Sequence, residues 1–365
     1  MKILNLNKDT KKNRYKKIKI IFAFSMLIFI ISHFNLKKIG VIGLDHSQNI
    51  GNNLVKYSIS IILRQLGFDP YIIGRQFRNH DISFLQNYTK LKVINNFHEI
   101  KETDYDILIV NSDQTWRRWD KYFYDIAFLK FAKNWNKPKF VYAASLGYNT
   151  WKFTKEDELI AKTLLKNFTG ISLREKGSIK LIENHLGFKP TFVLDPTLLI
   201  DKRFYLKLIN NYNNDISIDN SFIFIYTVTN SKILMKYINE IKEKFNYKIY
   251  IINTKFKNNI KKFIYGIYNC KAVITDSFHG TIFSLIFNKP FISFVYEENG
   301  RERFNSLKEV FNLKNRIYDY KTTPDPKILD IPLNINQNLF RKIKKQSVNY
   351  LKNNLRKTIY CLYFC

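Results

Sequence analysis

Residues Cys270–Val295 read CKAVITDSFHGTIFSLIFNKPFISFV, and this stretch decides the fold. Ala272–Thr275 is a short β-branched, apolar run and predicts a buried strand. Asp276-Ser277-Phe278-His279-Gly280-Thr281 reads as a polar loop. Ile282–Phe287 then reads as helix, Asn288-Lys289-Pro290 stops it, and Phe291–Phe294 is strand again. The pattern puts His279 where a strand of a parallel sheet ends and a helix begins. Open α/β sheets bind ligands along that edge, and the unpaired N–H groups of a helix start favour an anion. The same spacing suits a capping or buried histidine, with Asp276 or Ser277 as N-cap.

The segments around this stretch repeat its alternation. Ile39–Leu44 (IGVIGL) predicts a first strand, and Gly40 and Gly43 lack the third glycine of a dinucleotide fingerprint. A loop over Asp45–Asn53 leads to a helix with Val55, Ile59, Ile62 and Leu66 on one face, ended by Gly67. Strands are predicted at Tyr71–Ile73, Asp106–Asn111, Phe140–Ser145 and Gly170–Arg174, and helices at Glu156–Lys166 and Lys176–Leu186. After a polar, Asn-rich stretch at Asp201–Asn220, strands at Ser221–Val228 and Lys248–Ile252 alternate with helices at Ser231–Phe245 and Ile260–Asn269. Arg301-Glu302-Arg303-Phe304 opens a helix over Asn305–Phe311, and Leu339–Leu351 reads as a closing, Lys-rich helix. Alternating strand and helix predicts parallel sheets covered by helices. The division expected is a basic and hydrophobic segment over 1–37, α/β domains over 38–200 and 201–335, and a closing helix and tail over 336–365.

The composition narrows the function classes. The chain has 365 residues, long enough for two cores, and a formal charge of +30 from 60 Lys and Arg against 30 Asp and Glu. Abundant Lys, Asn, Ile and Phe together point to a compositional bias. No nucleic-acid-binding signature accompanies the charge, so anionic substrates and lipid head groups fit it better. Three cysteines, Cys270, Cys361 and Cys365, form no C-x-x-C pair and no metal spacing with histidine, so no disulfide framework and no metal site are expected. Ile20–Leu36 is apolar behind a Lys-rich start, slightly short for a spanning helix, and no small-residue cleavage site follows. An interfacial or domain-packed helix is expected there, with a membrane span as the alternative.

Four further stretches go with ITDSFHGTIFSLIFNKPF. They are Asn49-Ile50-Gly51-Asn52-Asn53-Leu54, Val110-Asn111-Ser112-Asp113-Gln114-Thr115-Trp116, Ile171-Ser172-Leu173-Arg174-Glu175 and Val193-Leu194-Asp195-Pro196-Thr197-Leu198. All five, in this order, resemble the polysaccharide pyruvyl transferase family, from about Lys38 to about Leu313. The resemblance implies two Rossmann-like domains facing a cleft, as in GT-B glycosyltransferases. It also implies transfer of a pyruvyl group from phosphoenolpyruvate to a sugar of a cell-surface polysaccharide or its lipid-linked precursor, in the cytoplasm or at the inner membrane face. No cofactor or metal is implied.

On that reading His279 is the general acid and Asp113 the candidate base. Arg174 holds the donor's carboxylate or phosphate, the amides near Gly280 and Thr281 take the other anionic group, and Asn49, Asn52, Gln114, Ser277 and Arg303 line the site. Trp116 and Trp119 either stack on a sugar or fill a core. Many members carry Arg two residues before the histidine; this chain has Ser277, so Arg303 or Lys289 has to supply the charge. Two other readings compete. One is a nucleotide-sugar glycosyltransferase, for which only Glu297 and Glu298 offer ribose-binding carboxylates. The other is a non-catalytic protein of the membrane surface.

Overall fold

The computed structural model describes residues 36–44, 50–75, 79–118, 122–210, 212, 221–229, 231–245, 247–253, 260–295 and 300–364. The expected N-terminal hydrophobic helix, Asn49, Trp119, Glu297 and Glu298 lie outside them. The unit that carries the fold begins at Lys38.

Its first sheet contains β1 (Lys38–Ile42), β2 (Asp69–Gly74), β3 (Lys90–Val93), β4 (Ile107–Val110) and β5 (Lys139–Val141). All pair in parallel in the order 3-2-1-4-5. β6 (Ser172–Leu173) and β7 (Thr191–Phe192) form a further parallel pair, joined to the β5 edge by bridges Phe140–Gly170 and Ala144–Leu173. Strands of a sheet covered on both faces read as continuous apolar runs, which is what KIGVI and ILIV are. Because side chains alternate along a strand, β1 and β4 feed two cores. Ile39, Val41, Ile107 and Ile109 pack with Leu54, Ile59 and Leu63 of α1 (Ile50–Gln65). Ile42, Leu108 and Val110 pack the other way, with residues of α3 (Phe123–Phe128), α4 (Lys155–Leu165) and α5 (Lys176–Leu186). α2 (Asn79–Tyr88) follows β2.

After the short α6 (Lys202–Leu206) comes a second parallel sheet, in the order β12-β11-β10-β8-β9. Its strands are β8 (Ile223–Thr227), β9 (Ile249–Asn253), β10 (Ala272–Thr275), β11 (Phe291–Val295) and β12 (Ile317–Asp319). Between them run α7 (Lys232–Phe245), α8 (Ile260–Asn269), α9 (Phe278–Ile286) and α10 (Arg301–Phe311). Phe224, Tyr226, Val273 and Phe291 of this sheet belong to the same core as Ile39 and Val41 of the first, with α1 and α9 contributing to it. The two sheets therefore share one continuous apolar interior.

The chain then returns to the first sheet. In α11 (Gln337–Phe364), Tyr350 donates to the Val141 carbonyl at 3.0 Å, and Ser347 accepts from the Leu194 amide at 2.9 Å. Asn354 lies against Gly170, where an added Cβ would come within 2.4 Å of its Oδ1.

Several helices start earlier than their sequence suggests. α1 already contains Gly51 and Asn52, α9 begins at Phe278 with Ser277 as its N-cap, and α10 begins at Arg301. Glycine, asparagine and polar runs read as loop, but the first helical turn needs no internal bonds for its N–H groups and tolerates them. The short elements α2, α3, β3, β7 and β12 carry too few periodic residues to stand out. Among the described residues, no helix is long and apolar enough to cross a membrane.

Gly266 of α8 faces the Phe224 ring, and an added Cβ would lie 2.1 Å from Cε2. Gly266→Ala is therefore expected to lower stability by roughly 1–3 kcal/mol through overpacking. A melting temperature equal to wild type would contradict this account of how α8 seats on β8.

Candidate active site

The polar residues singled out in the sequence gather at the C-terminal ends of strands from both sheets. Asn52 follows β1, Asp113 follows β4, Arg174 follows β6 and Asp195 follows β7. From the second sheet come His279 after β10 and Arg303 after β11. This is the edge at which open α/β sheets bind ligands.

At its centre, Arg174 is buried between two carboxylates. Its Nη2 donates to Asp113 Oδ1 at 2.8 Å, and its Nη1 to Asp195 Oδ2 at 2.5 Å. Asn52 Nδ2 donates to the other Asp113 oxygen at 3.2 Å. Asp195 also accepts from Ser112 Oγ at 3.2 Å, and from Thr197 through its amide at 3.0 Å and its hydroxyl at 2.6 Å. Burial is the largest influence and would raise both acids, but the Arg174 charge, the other positive groups nearby and the hydrogen bonds from Asn52 and Thr197 together outweigh it and hold them below the usual carboxylate range. Asp113 sits at φ 88°, a left-handed conformation that is costly outside glycine and concentrates at functional sites.

These facts correct two expectations. Arg174 was expected to hold the donor's carboxylate or phosphate; both its terminal nitrogens are engaged by Asp195 and Asp113, and only Nε is left without a hydrogen bond. Asp113 was expected to act as a base, but a carboxylate held this low accepts a proton poorly. Asp195, which the sequence offers only within the stretch Val193–Leu198 and with no role of its own, stands in the same cluster.

His279, in the first turn of α9, is 1 % exposed. Its ring packs on the bare backbone of Gly51, where a Cβ would lie 1.9 Å from Nδ1. Its Nε2 lies 3.8 Å from Asp195 Oδ2, beyond hydrogen-bond length, and has no hydrogen-bond partner. Burial pushes the imidazole down to about 4 against the pull of Asp195 and Asp113, so the ring is neutral at pH 7. Asn52 Oδ1 and Asn111 Oδ1 are also buried without a partner. Buried polar atoms are nearly always paired. Those of Asn52, Asn111 and His279 lie at the start of α1, after β4 and after β10, where they are available to pair with a polar ligand.

The remaining expected residues divide. Ser277 is the N-cap: its hydroxyl accepts from the Gly280 amide at 3.3 Å, and its carbonyl accepts from the Thr281 amide at 3.0 Å. Those two amides are thus satisfied within the helix start, contrary to the expectation that they bind an anion. The Thr281 hydroxyl pairs with Ser293 at 2.7 Å, and Gly280 is needed because a Cβ would meet Thr275 Oγ1 at 2.2 Å. Lys289 donates to the Cys270 carbonyl, just before β10 begins, so it sits at the opposite end of that strand from His279. Trp116 is fully buried, donates to the Ala127 carbonyl and fills the core.

Arg303 supplies the second cation. It lies over the Phe278 ring at 5.1 Å, with Arg174 over the same ring at 4.6 Å. Burial and the Arg174 charge bring Arg303 down to about 10, which leaves it charged at neutral pH. Gln114 Oε1 accepts from Arg117 Nη1 at 3.3 Å within the loop after β4. A backbone bond from Gly300 to the Gly147 carbonyl, 2.7 Å, ties the start of α10 to the loop after β5.

Two parallel α/β sheets facing a common ligand edge, closed by a helix that crosses back, define a GT-B-type fold. Among solved structures, the chain is similar to a putative UDP-N-acetylglucosamine 2-epimerase from Listeria monocytogenes, with TM-score 0.57 and 11% identity over 89% of this chain and 97% of that one. It is also similar to the UDP-GlcNAc 2-epimerase from Neisseria meningitidis bound to UDP-GlcNAc, with TM-score 0.51 and 12% identity over 87% and 100%. At such identities the likeness speaks for the fold alone. No curated relative matches in sequence. Residues 49–298 match the polysaccharide pyruvyl transferase family, and that span is more than half of the chain. The chain belongs to the polysaccharide pyruvyl transferase family and is a transferase.

Arg174→Lys tests the ion cluster, because one ammonium cannot fork between two acids. A loss on the order of 1–3 kcal/mol is expected, seen as an earlier urea midpoint. Both carboxylates titrate below their unfolded value of about 3.9, so the stability they add is full above that pH and is lost as pH falls from there through their lower folded values. The variant should lose less stability on the acid side than wild type. An unchanged midpoint would contradict a structural role for Arg174.

Proposed function

We propose that the protein transfers the pyruvyl group of phosphoenolpyruvate to two hydroxyls of one sugar, in a polysaccharide or its lipid-linked precursor, and closes a ketal. The observation that carries this reading is His279: a buried, neutral imidazole with an open Nε2, beside Arg303 and the Arg174 cluster. A donor bearing both carboxylate and phosphate would bring the negative charge that such a ring needs in order to hold a proton. Arg303 would take an anionic group of the donor and supply the charge that Ser277 does not. Asn52 Oδ1 and Gln114 face the same edge and are assigned to the sugar; Asn49, beside them in sequence, is assigned with them on the family resemblance alone. The cytoplasm, where phosphoenolpyruvate is made, is the compartment this donor implies.

In the proposed sequence, His279 gives its proton to the methylene carbon, which becomes the methyl group, and positive charge develops at the adjacent carbon. The first sugar hydroxyl adds there and returns its proton to His279. Phosphate leaves with that proton, and the second hydroxyl closes the ring and passes its own proton to His279, which restores the acid. Of the two hydroxyl protons, one ends on carbon in the net balance and one on phosphate. Asp195, 3.8 Å from Nε2, is assigned to orient and stabilise the charged imidazole, and Asp113 to hold Arg174 and Asn52 in place.

His279→Asn keeps a hydrogen-bond donor but cannot deliver a proton to carbon. Turnover measured by phosphate release is expected to fall roughly 10²–10⁴-fold, the scale for a positioned acid. The melting temperature should stay close to wild type. Near-normal turnover would return His279 to a packing role.

A further inference from the structure

One face of α11 has no role in the fold or the site. Arg341, Lys342, Lys345, Lys352 and Arg356 are all exposed along it. At 3.6 residues per turn they fall within an arc of about 100° and extend over about 22 Å. The opposite face holds Ser347, Tyr350, Leu351, Asn354 and Leu355, which dock the helix on the first sheet. The cationic stripe is therefore carried on a rigid support.

The charges stand unopposed in sequence: residues 331–365 contain no Asp or Glu at all. The helix runs to Phe364, and its last turns read Ile359-Tyr360-Cys361-Leu362-Tyr363-Phe364, apolar and aromatic. A straight basic stripe followed by an apolar, aromatic end is the composition of a helix that lies on a lipid surface. The apolar, aromatic turns that continue the stripe favour a bilayer, which takes up apolar side chains beneath its anionic head groups, over a nucleic-acid backbone, which offers phosphate alone to a basic stripe.

We propose that the exposed face of α11 is a docking surface for an anionic phospholipid bilayer. It uses no residue of the catalytic site, so it stands or falls apart from the pyruvyl-transfer reading.

The test is co-sedimentation of the full chain with phosphatidylcholine vesicles, with and without phosphatidylglycerol. One variant replaces all five stripe residues by Gln. A control variant replaces five exposed lysines on other elements, Lys101, Lys133, Lys152, Lys180 and Lys232, and so removes the same net charge. Both leave Met1–Lys37 untouched. The expected result is binding only to the anionic vesicles, weakened by salt, and reduced at least about tenfold in the stripe variant. The control should lose much less. Equal losses in the two variants would reduce the effect to bulk charge and overturn the proposal. So would retention of full binding by the stripe variant, or a loss seen with duplex DNA rather than with vesicles.

Discussion

Arg174 sits between Asp113 and Asp195, and the geometry of the site depends on that buried contact. The three residues come from the ends of β4, β6 and β7, so one guanidinium fixes three strand ends relative to each other. A buried ion pair gains little net stability against an apolar replacement, but losing one partner leaves an uncompensated charge. The arrangement therefore specifies position more than it adds stability. Asp113 accepts its strained backbone within this cluster and in turn holds Asn52.

The second sheet meets this cluster through α9. Gly51 lets the imidazole lie directly on the start of α1, and Phe278 carries Arg174 and Arg303 on its ring. His279 is thereby enclosed by both halves, and burial keeps it neutral although two carboxylates stand nearby. Arg174 already neutralises much of their charge. On the proposed reading an anionic donor decides the protonation of this ring, which is the property an acid needs if it is to be active only with that donor present.

Much of this was legible in the sequence. The run from Ala272 to Val295 announced strand, helix and strand, and His279 stands where that reading placed it, at the strand-to-helix edge. Arg174, Asp113 and Asn52 were each assigned to one site with separate roles, and in the fold Asp113 hydrogen-bonds to both of the others. Their partners were not legible. Nothing local to Arg174 indicates that its acids lie 61 and 21 residues away rather than next to it at Glu175. Asp195 precedes a proline and caps a short turn, and that ordinary role masked its second one. Ser277 is the N-cap that the sequence offered beside Asp276, and because α9 starts one residue after it, at Phe278 and not at Ile282, the amides of Gly280 and Thr281 are used within the helix start.

The central claim is that donor binding converts a neutral His279 into its charged, acidic form. Calorimetric titration with phosphoenolpyruvate near pH 8, repeated in buffers of different ionisation enthalpy, counts the protons taken up on binding. Uptake approaching one proton by the wild-type protein, and none by His279→Asn with binding retained, is the result this account predicts. Phosphoenolpyruvate binding with no proton uptake, or with the same uptake in the variant, would contradict it.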